Sequence, residues 1–479
     1  MELKGYALAM FKSELESIVG DENVNILEKS IQENAIDQFW ITHMWKQKNE
    51  EIPTPYFIVS PATTEETSRI VKTCNRYKMP VVTRGGGSGT AGGAATMYGG
   101  IVLDVKRMNK IIDIDNESLI LTAQPGINGR TLEDELNKKS LMLAHYPSSV
   151  DISTLGGYIA ARGSGVMSTK YGKAEDMVIS LEIVLPDGQI INTLSTPNHA
   201  AGPGLLDVFI GSEGTLGIIT EIKIRLDPIP EKRLFRMVEF PTIYDGLEAG
   251  RQIMMNRLNP TVIRLYDEGS TRKSLNPTGL DLNGNFMVLM FDGHENIARE
   301  QEKESIDICL ANKGIDKGEE LGKHWWETRY VAYKPPVHPA YPLMYGTPET
   351  VTTYKNIAKI YDEKKELIEN KYKKWNAEYT AHFSHWYPWG TMIYDRFYIE
   401  NTPEDAYETL RLHNQIWEDC TQINLKNSGV LNEHHGIGIK LGWLMPEQYG
   451  ETFDVLTKFK KILDPKGIMN PGKLGFEIY

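Results

Sequence analysis

A run of glycines between two short strand patterns limits how this chain can fold more than any other feature. The segment 80–83 leads into the run at 84–93, in which six of ten residues are glycine, and another strand pattern follows at 101–104. Glycine adopts positive φ at little steric cost, so such a run can point several backbone N–H groups into one concavity. Because glycine loses much entropy on folding, this density favours a loop that binds a phosphate-bearing ligand over a plain turn.

Two further loops rich in small residues lie in the same part of the chain, at 146–165 and 211–217. Three such loops in one domain can contact a long ligand at several points, which favours a large nucleotide. Residues 87–92 also match the pattern G-x-G-x-x-G, but a Rossmann site needs that loop to open a helix. Only a few residues separate the loop from the strand at 101–104, so we predict that no Rossmann helix follows it.

Length, charge and cysteine content exclude several classes of protein. A chain of 479 residues with a net charge of −12 is expected to form two or three domains and to avoid nucleic acid, which requires a cationic face. No stretch approaches the roughly 18 apolar residues that span a bilayer, and the N-terminus lacks the pattern of a secretory signal. The three cysteines form no C-x-x-C pair, so we expect reduced thiols in a cytoplasmic protein without an iron–sulfur cluster or a cysteine zinc site.

The order of helix and strand patterns predicts an α+β fold with two main domains. Residues 1–53 read as helices with polar faces, and from 54 to 228 short helices and strands alternate around the glycine-rich loops. A Pro-Ile-Pro sequence at 228–230 marks a boundary, and longer helices and strands then form a second domain at 229–425. Residues 426–479 return to the glycine-rich style, so we expect this tail to rejoin the first domain.

Five segments, taken together, carry a family resemblance. They are 84–93, 147–157, 211–220, 433–438 and 464–474, and in this order they resemble the FAD-binding oxidoreductase/transferase type 4 family of the vanillyl-alcohol oxidase superfamily. That family includes D-lactate and glycolate-type dehydrogenases and alkylglycerone-phosphate synthase. The resemblance implies a two-domain PCMH-type FAD-binding fold, in which the second domain is an α+β cap over the flavin.

The resemblance also implies which residues hold FAD. Residues of the first loop would line the pyrophosphate, those of the second the ribityl and flavin parts, and those of the third the adenine side, while the tail closes the site. Some relatives attach FAD covalently through a histidine in the first loop, where this chain has glycine and serine, so we predict non-covalent FAD. The predicted FAD-binding residues are Arg84, Gly85, Gly86, Gly87, Ser88, Gly89, Thr90, Pro147, Ser148, Asp151, Ser153, Thr154, Gly157, Arg162, Ser164, Gly165, Glu213, Gly214, Ile218, Ile219 and Asn470.

A base and an anion-binding group are needed beside the flavin if a hydroxylated substrate is oxidised. Histidine suits the role of base, and resemblance places His434 and His435 at the flavin. By the same resemblance Tyr394 acts as a proton shuttle or substrate ligand, and Arg329, with Arg264 as a weaker candidate, holds an anion through its guanidinium fork. The alternatives are two histidines in a polar loop, an aromatic side chain in the cap core and a surface ion pair.

We predict no metal site. Dehydrogenases of this family often carry the motif Gly-His-x-Gly-Asp-Gly-Asn-x-His, but the corresponding stretch 382–390 lacks its acidic and asparagine elements. A site built from His382, His385 and Glu433 is the alternative. Two residues three apart on a strand face opposite sides, which opposes joint ligation by the two histidines.

Three functions agree with these features. The first is an FAD-dependent oxidoreductase that oxidises a 2-hydroxy acid such as D-lactate or glycolate by hydride transfer to flavin N5 and passes electrons to an external acceptor. The second is a flavin transferase similar to alkylglycerone-phosphate synthase, and the third is an oxidase of phenolic alcohols of the vanillyl-alcohol oxidase type. The expected partner is a small-molecule substrate, and a homodimer is left open.

Overall fold

Helices and strands alternate along the chain in the computed structural model, which describes residues 4–331, 333 and 339–477. The described residues form sheets of four, five, two and eight strands. The first three sheets belong to the N-terminal half of the chain, and the eight-stranded sheet belongs to the predicted cap. None of the described helices is long and apolar enough to cross a membrane.

The N-terminal segment packs onto the first domain. Helix α1 buries Phe11, Leu15 and Val19, which follow one another at helical spacing and join the core beneath the four-stranded sheet. The segment also contributes a short strand, which the sequence did not predict, because Val24 pairs antiparallel with Val59. Its elements are α1 (Gly5–Val19), β1 (Val24–Asn25), α2 (Glu28–Asn34) and α3 (Trp40–Gln47).

The four-stranded sheet has the strand order β1-β2-β4-β3, and its last three strands are parallel. Thr63 caps the connecting helix, since its side chain accepts a hydrogen bond from Glu66 N at 3.1 Å. The sheet positions the first glycine loop, because that loop begins where β3 ends. The elements are β2 (Phe57–Val59), α4 (Thr64–Tyr77), β3 (Val81–Arg84) and β4 (Ile101–Asp104).

The five-stranded sheet is antiparallel in the order β5-β6-β10-β8-β9. The hairpin predicted around residues 186–188 is confirmed, since Val184 pairs with Ile190. Strand β10 alternates buried and partly exposed residues, as its sequence pattern predicts. The elements are β5 (Ile111–Asp115), β6 (Ile120–Ala123), α5 (Gly129–Asn137), β7 (Leu141–Met142), α6 (Leu155–Ala160), α7 (Ser168–Tyr171), α8 (Ala174–Met177), β8 (Val178–Val184), β9 (Ile190–Asn192), α9 (Leu206–Phe209), β10 (Ile218–Arg225) and β11 (Asp227–Pro228).

The cap sheet has the order β15-β12-β14-β13-β18-β19-β16, with β17 paired to β19. One face is covered by helices α10, α12, α14 and α15, and the other faces the first domain, because Phe235 and Met237 share a core with Leu155. The elements are β12 (Lys232–Phe240), α10 (Ile243–Met255), β13 (Val262–Tyr266), α11 (Glu268–Ser270), β14 (Asn285–Gly293), α12 (Glu295–Ala311), β15 (Ile315–Asp316), α13 (Glu319–Thr328), β16 (Met344–Gly346), β17 (Thr350–Thr353), α14 (Tyr354–Glu366), β18 (Glu378–Tyr387), β19 (Gly390–Ile399) and α15 (Ala406–Lys426).

The C-terminal tail returns to the first domain after helices α16 (Met445–Tyr449) and α17 (Thr452–Leu463). Val81 N donates to Ile468 O at 2.8 Å, and Asn470 N donates to Val81 O at 2.8 Å. The tail therefore lies beside β3, next to the start of the first glycine loop.

Candidate active site

The three glycine-rich loops surround one cavity, which encloses about 980 Å³ of space free of atoms, including its opening to solvent. The N-terminal segment contributes Asp37 to its wall, and the C-terminal tail contributes His435. The predicted FAD-binding residues that line the cavity are Gly85, Gly86, Gly87, Ser88, Gly89, Thr154, Gly157, Glu213, Gly214, Ile218 and Ile219.

The cavity wall is mostly backbone and small side chains. Loops one and two touch at Gly86, where an added Cβ would overlap the carbonyl of Ile152, so only glycine fits there. Thr83 and Thr154 line the cavity, and their buried hydroxyl groups have no hydrogen-bond partner among the described residues. A wall of bare amides with unpaired hydroxyls fits a ligand rich in phosphate and hydroxyl oxygens.

Arg84 supports the first loop from behind instead of lining the cavity. Its Nη1 donates to Ile36 O at 2.8 Å, and burial lowers the pKa of its guanidinium. A side chain at Gly87 would collide with this guanidinium, so the two residues pack against each other. Thr90 is partly buried with an unpartnered hydroxyl. Direct contact of Arg84 and Thr90 with the pyrophosphate stays a prediction.

The predicted flavin-side residues at 147–153 lie outside the cavity lining. Asp151 pairs with Arg130 at 2.8 Å, and both are substantially exposed. Ser153 is buried, and its hydroxyl donates to Ser149 O at 2.7 Å. Pro147 is partly buried and Ser148 is exposed. Their contact with FAD stays a prediction.

The residues predicted at 162–165 stabilise the second loop. Arg162 pairs with Glu175. The Ser164 hydroxyl donates to Glu433 Oε1 at 3.2 Å, which joins this loop to the histidine segment. Gly165 N donates to Ser168 Oγ at 2.8 Å. None of the three lines the cavity.

Asp37 is a cavity residue that the sequence analysis missed. Its two carboxylate oxygens accept hydrogen bonds from Phe39 N at 3.0 Å and Ala94 N at 3.2 Å. Gln38 N donates to Gly89 O at 2.9 Å, so this bond, the Asp37–Ala94 bond and the Arg84–Ile36 bond join the N-terminal segment to the first loop and the residue after it. Burial raises the pKa of Asp37. No sequence signal separates this aspartate from the others in a helical segment.

Glu213 and the tail close the cavity on another side. The Glu213 carboxylate accepts hydrogen bonds from Ile437 N at 2.6 Å and Gly438 N at 2.9 Å, and burial raises its pKa to about 7. Asn470 Nδ2 donates to Gly93 O at 2.8 Å and to Glu213 O at 2.6 Å. Lys473 Nζ donates to Ala95 O at 2.8 Å, and burial lowers its pKa to about 8.

His435 lines the cavity with a buried carboxylate behind it. Its Nδ1 lies 2.9 Å from Glu349 Oε2, and Glu349 Oε1 accepts a hydrogen bond from His434 N at 3.0 Å. Burial alone would raise the pKa of Glu349, but the two histidines outweigh it and lower that pKa to about 2. His435 Nδ1 and Glu349 Oε2 are within ion-pair distance but lack hydrogen-bond geometry, so Glu349 places a negative charge beside Nδ1 without fixing the tautomer of the ring. The sequence analysis missed Glu349.

A second buried carboxylate, Glu433, holds the other histidines. Its Oε2 lies 2.8 Å from His434 Nδ1 and 3.0 Å from His385 Nδ1. Its Oε1 accepts from the Tyr387 hydroxyl at 2.6 Å and lies 3.4 Å from Lys173 Nζ. Burial would raise the pKa of Glu433, but Lys173 and His385 hold it well below its usual range. Burial lowers the pKa of His434 to about 4, so His434 is neutral near pH 7.

Tyr394 lies beside the histidines, whereas Arg329 packs against aromatic rings. The Tyr394 ring centroid is 5.3 Å from that of His435 and 5.7 Å from that of His434. The Arg329 guanidinium lies 3.6 Å from the Trp326 ring centroid and donates to Trp326 O. Among the described residues no carboxylate lies within ion-pair distance of Arg329, and burial lowers its pKa. The surface ion pair considered above is therefore not found.

The expectation that His382 and His385 face opposite sides of a strand is wrong. Strand β18 has a β-bulge between Phe383 and Trp386, and the extra residue resets the alternation of side chains. His382 stacks on Tyr394 with ring centroids 4.6 Å apart, and His385 lies 5.1 Å from His434, so both reach the same cluster.

Two groups of three side chains bring metal-ligating atoms within 4.8 Å of one another. Glu433, which belongs to one of them, already faces the ammonium of Lys173. His382 belongs to neither group. That no metal binds stays a prediction, and metal analysis of the purified protein tests it. The two groups are Glu349, His434 and His435, and His385, Glu433 and His434.

Family models match both halves of the chain. Residues 55–194 match the FAD binding domain, and residues 229–474 match the C-terminal domain of FAD linked oxidases. The cavity, the α+β architecture and these matches define the class: the protein is an FAD-dependent oxidoreductase with a PCMH-type fold.

Three relatives extend the match over most of the chain. An uncharacterized FAD-linked oxidoreductase of Escherichia coli, YgcU, is 30% identical over 97% of this chain and 98% of its own length. Alkyldihydroxyacetonephosphate synthase of Dictyostelium discoideum is 30% identical over 88% of this chain and 73% of its own. The mitochondrial D-lactate dehydrogenase [cytochrome] of Arabidopsis thaliana is 29% identical over 94% and 78%. The chain belongs to the FAD-linked oxidase family.

Solved structures agree with this assignment. An alkyldihydroxyacetonephosphate synthase superposes with a TM-score of 0.80 at 26% identity, covering 98% of this chain and 85% of that one. A p-cresol methylhydroxylase with substrate bound superposes with a TM-score of 0.78 at 19% identity, covering 98% and 97%, which supports the fold alone.

Proposed function

We propose that the protein oxidises a small 2-hydroxy acid, such as D-lactate or glycolate, with FAD as the hydride acceptor. The observation that carries the proposal is the pair of His435 and Glu349. An imidazole on the wall of the FAD cavity has an ionised carboxylate 2.9 Å from Nδ1, whose charge would stabilise the imidazolium that forms when the ring accepts a proton. The similarity to a D-lactate dehydrogenase supports the same reaction.

Each residue of the cluster has a separate task in this reaction. When bound, FAD would supply the acceptor for the hydride of the substrate carbon, and an external electron acceptor would reoxidise it. His435 takes the proton of the substrate hydroxyl, and Glu349 stabilises the imidazolium that forms. Tyr394 lies beside His435 and can donate a hydrogen bond to the same oxygen. By resemblance Arg329 is the predicted partner of the substrate carboxylate, and among the described residues it has no acidic partner.

Anaerobic mixing of the holoenzyme with D-lactate, L-lactate and glycolate tests the proposal. We expect at least one of them to bleach the oxidised flavin band, and the stereoisomers separate the two lactates. The proposal is wrong if none of these or longer 2-hydroxy acids reduces the flavin while dithionite does. Acid precipitation of the same sample tests non-covalent attachment, since all flavin should then remain in the supernatant.

A transferase similar to alkyldihydroxyacetonephosphate synthase is the second candidate. The superposition over 98% of the chain at 26% identity favours it. In this case the flavin would not undergo net reduction. Turnover of an acyl-dihydroxyacetone phosphate with a long-chain alcohol, without bleaching by any hydroxy acid, would replace the first candidate by the second.

A further inference from the structure

One buried and two partly buried side chains on the inner face of the cap sheet have N–H donors without partners. They are Arg264 on β13, His382 on β18 and Arg396 on β19. Arg264 Nε, His382 Nδ1 and Arg396 Nε are all shielded from solvent and have no hydrogen-bond partner among the described residues. Unpaired buried donors destabilise a fold unless a ligand or water satisfies them, so these three point to a ligand.

His382 is the most deeply buried member of this group. It is 1% exposed, and its ring lies between Tyr394, with centroids 4.6 Å apart, and Tyr266, at 5.3 Å. Arg264 Nη2 lies 2.5 Å from His382 Nε2. Because a guanidinium only donates, Nε2 must accept, and the ring hydrogen is on Nδ1. Burial and the two arginines hold the pKa of His382 well below its usual range, so the ring is neutral.

The two arginines also contact aromatic rings on the inner face of the cap sheet. The Arg396 guanidinium lies 4.9 Å from the Tyr394 ring centroid and donates to Ser274 Oγ at 3.0 Å. The Arg264 guanidinium lies 5.7 Å from the Tyr266 ring centroid. Among the described residues neither arginine has a carboxylate within ion-pair distance. The neighbouring acid, Asp395, is turned to the other face of the sheet, where it pairs with Lys364 at 2.9 Å.

We propose that Arg264, His382 and Arg396 form a subsite for an anionic group of the substrate, a carboxylate or a phosphate. Because D-lactate and glycolate each have one carboxylate, this subsite takes the place of Arg329 as its partner. It rests on the proposed function only in assuming that the anion belongs to the substrate. Tyr394 connects it to His435, so an anion held there lies next to the residues that act on the substrate hydroxyl. Two planar guanidinium forks and an imidazole N–H match an acceptor with two or three oxygens.

Calorimetric titration of the oxidised holoenzyme with oxalate and with inorganic phosphate, in chloride buffer of constant ionic strength, tests the subsite. Oxalate cannot be oxidised as a hydroxy acid, so the titration reports binding alone. We expect wild-type protein to bind one of the two, and the tighter ligand identifies a carboxylate or a phosphate as the natural group. We expect Arg396→Gln to weaken that binding by about 10- to 100-fold, the range for a charge-assisted hydrogen bond.

Three variants sharpen the test. Arg299→Gln is the matched control, because Arg299 lies on the outer helix α12, pairs with Glu295 and should leave anion affinity unchanged. Arg396→Lys keeps the positive charge but lacks the guanidinium fork, and it should bind the anion a few-fold more weakly than wild type. If Arg396→Gln does not fold, Arg396→Lys takes its place in the test. Flavin content and melting temperature establish folding. His382→Leu should also weaken binding, since it removes the Nδ1 donor.

The outcomes separate this inference from the proposed function. If wild type binds neither anion, or if Arg396→Gln and Arg396→Lys bind as well as wild type, the subsite is wrong even when hydroxy acids reduce the flavin. If Arg396→Gln loses anion binding while no hydroxy acid reduces the wild-type flavin, the subsite stands and the proposed function does not. Loss of binding only in Arg329→Gln would place the anion at Arg329 and overturn the subsite.

Discussion

The FAD cavity and the histidine cluster beneath the cap lie next to each other, but the first is formed mainly by backbone and the second by side chains. The cavity is lined by backbone, glycine and small hydroxylated residues that come from continuous stretches of sequence. The cluster is made of side chains from the strand region near Glu349, from the β18–β19 hairpin and from the segment around His435. A backbone site can be recognised from its local composition, whereas a side-chain site depends on which distant segments fold together.

The largest effect should come from the residue where the two regions meet. We expect His435→Ala to keep FAD and to reduce the rate of flavin reduction by about 10²- to 10⁴-fold, because a general base is lost and the cavity wall is retained. Stopped-flow reduction under anaerobic conditions measures it. A variant that reduces at the wild-type rate would remove His435 from the chemistry.

Substitution of Glu349 should lower the rate of flavin reduction by less than His435→Ala does, and it should act on the histidine cluster without changing the FAD cavity. We expect Glu349→Gln to lower the reduction rate by about 10- to 100-fold with little change in FAD content, since the carboxylate beside His435 is replaced. Glu349→Asp should recover part of the rate. In the wild-type protein the pKa of Glu349 is lowered from 4.5 to about 2. The stability that this carboxylate contributes is therefore expected to be present above pH 4.5 and to be lost as the pH falls toward 2. Equal loss of FAD and of rate would instead indicate a structural role.

Substitution of Asp37 tests the FAD cavity and leaves the histidine cluster unchanged. We expect Asp37→Leu to weaken FAD binding by about tenfold, because two backbone N–H groups lose their acceptor at a net cost of about 1–2 kcal/mol. Equilibrium binding of FAD to apoprotein measures the change. Asp37→Asn keeps one side-chain oxygen, and its affinity for FAD should lie between those of wild type and Asp37→Leu. The control is Asp21→Asn, since Asp21 lies in an exposed helical turn. Wild-type affinity in Asp37→Leu would show that the N-terminal segment is not part of the site.

The last effect is on stability instead of rate or binding, and it concerns the pH dependence that Glu213 in the cavity wall should cause. The pKa of Glu213 is raised to about 7, so the folded protein retains a proton that the unfolded chain releases near pH 4.5. Stability should therefore fall as the pH rises from 4.5 to 7, by on the order of 1–3 kcal/mol. Glu213→Gln cannot ionise and should flatten this part of a plot of melting temperature against pH. An unchanged slope would mean that Glu213 does not cause it.

The two regions also differ in how well they could be predicted. The glycine loops, the hairpin around residues 186–188 and the FAD-dependent fold follow from local composition and from a family resemblance. That resemblance assigned both His435 and Tyr394 to the active site; their ring centroids lie 5.3 Å apart, and their roles stay predictions. The opposed faces of His382 and His385 were predicted wrongly, because a strand pattern in sequence does not show a β-bulge.

By itself the sequence determined that this chain exposes backbone amides to a large nucleotide. The reason is that glycine-dense loops between short strands have few side chains to cover their N–H groups. The tertiary structure alone decided that Asp37 enters the wall of that cavity and that Glu349 and Glu433 lie behind the histidines. The reason is physical: backbone conformation depends on neighbouring residues, whereas these carboxylates also need partners far away in the chain, such as Ala94 for Asp37 and His435 for Glu349.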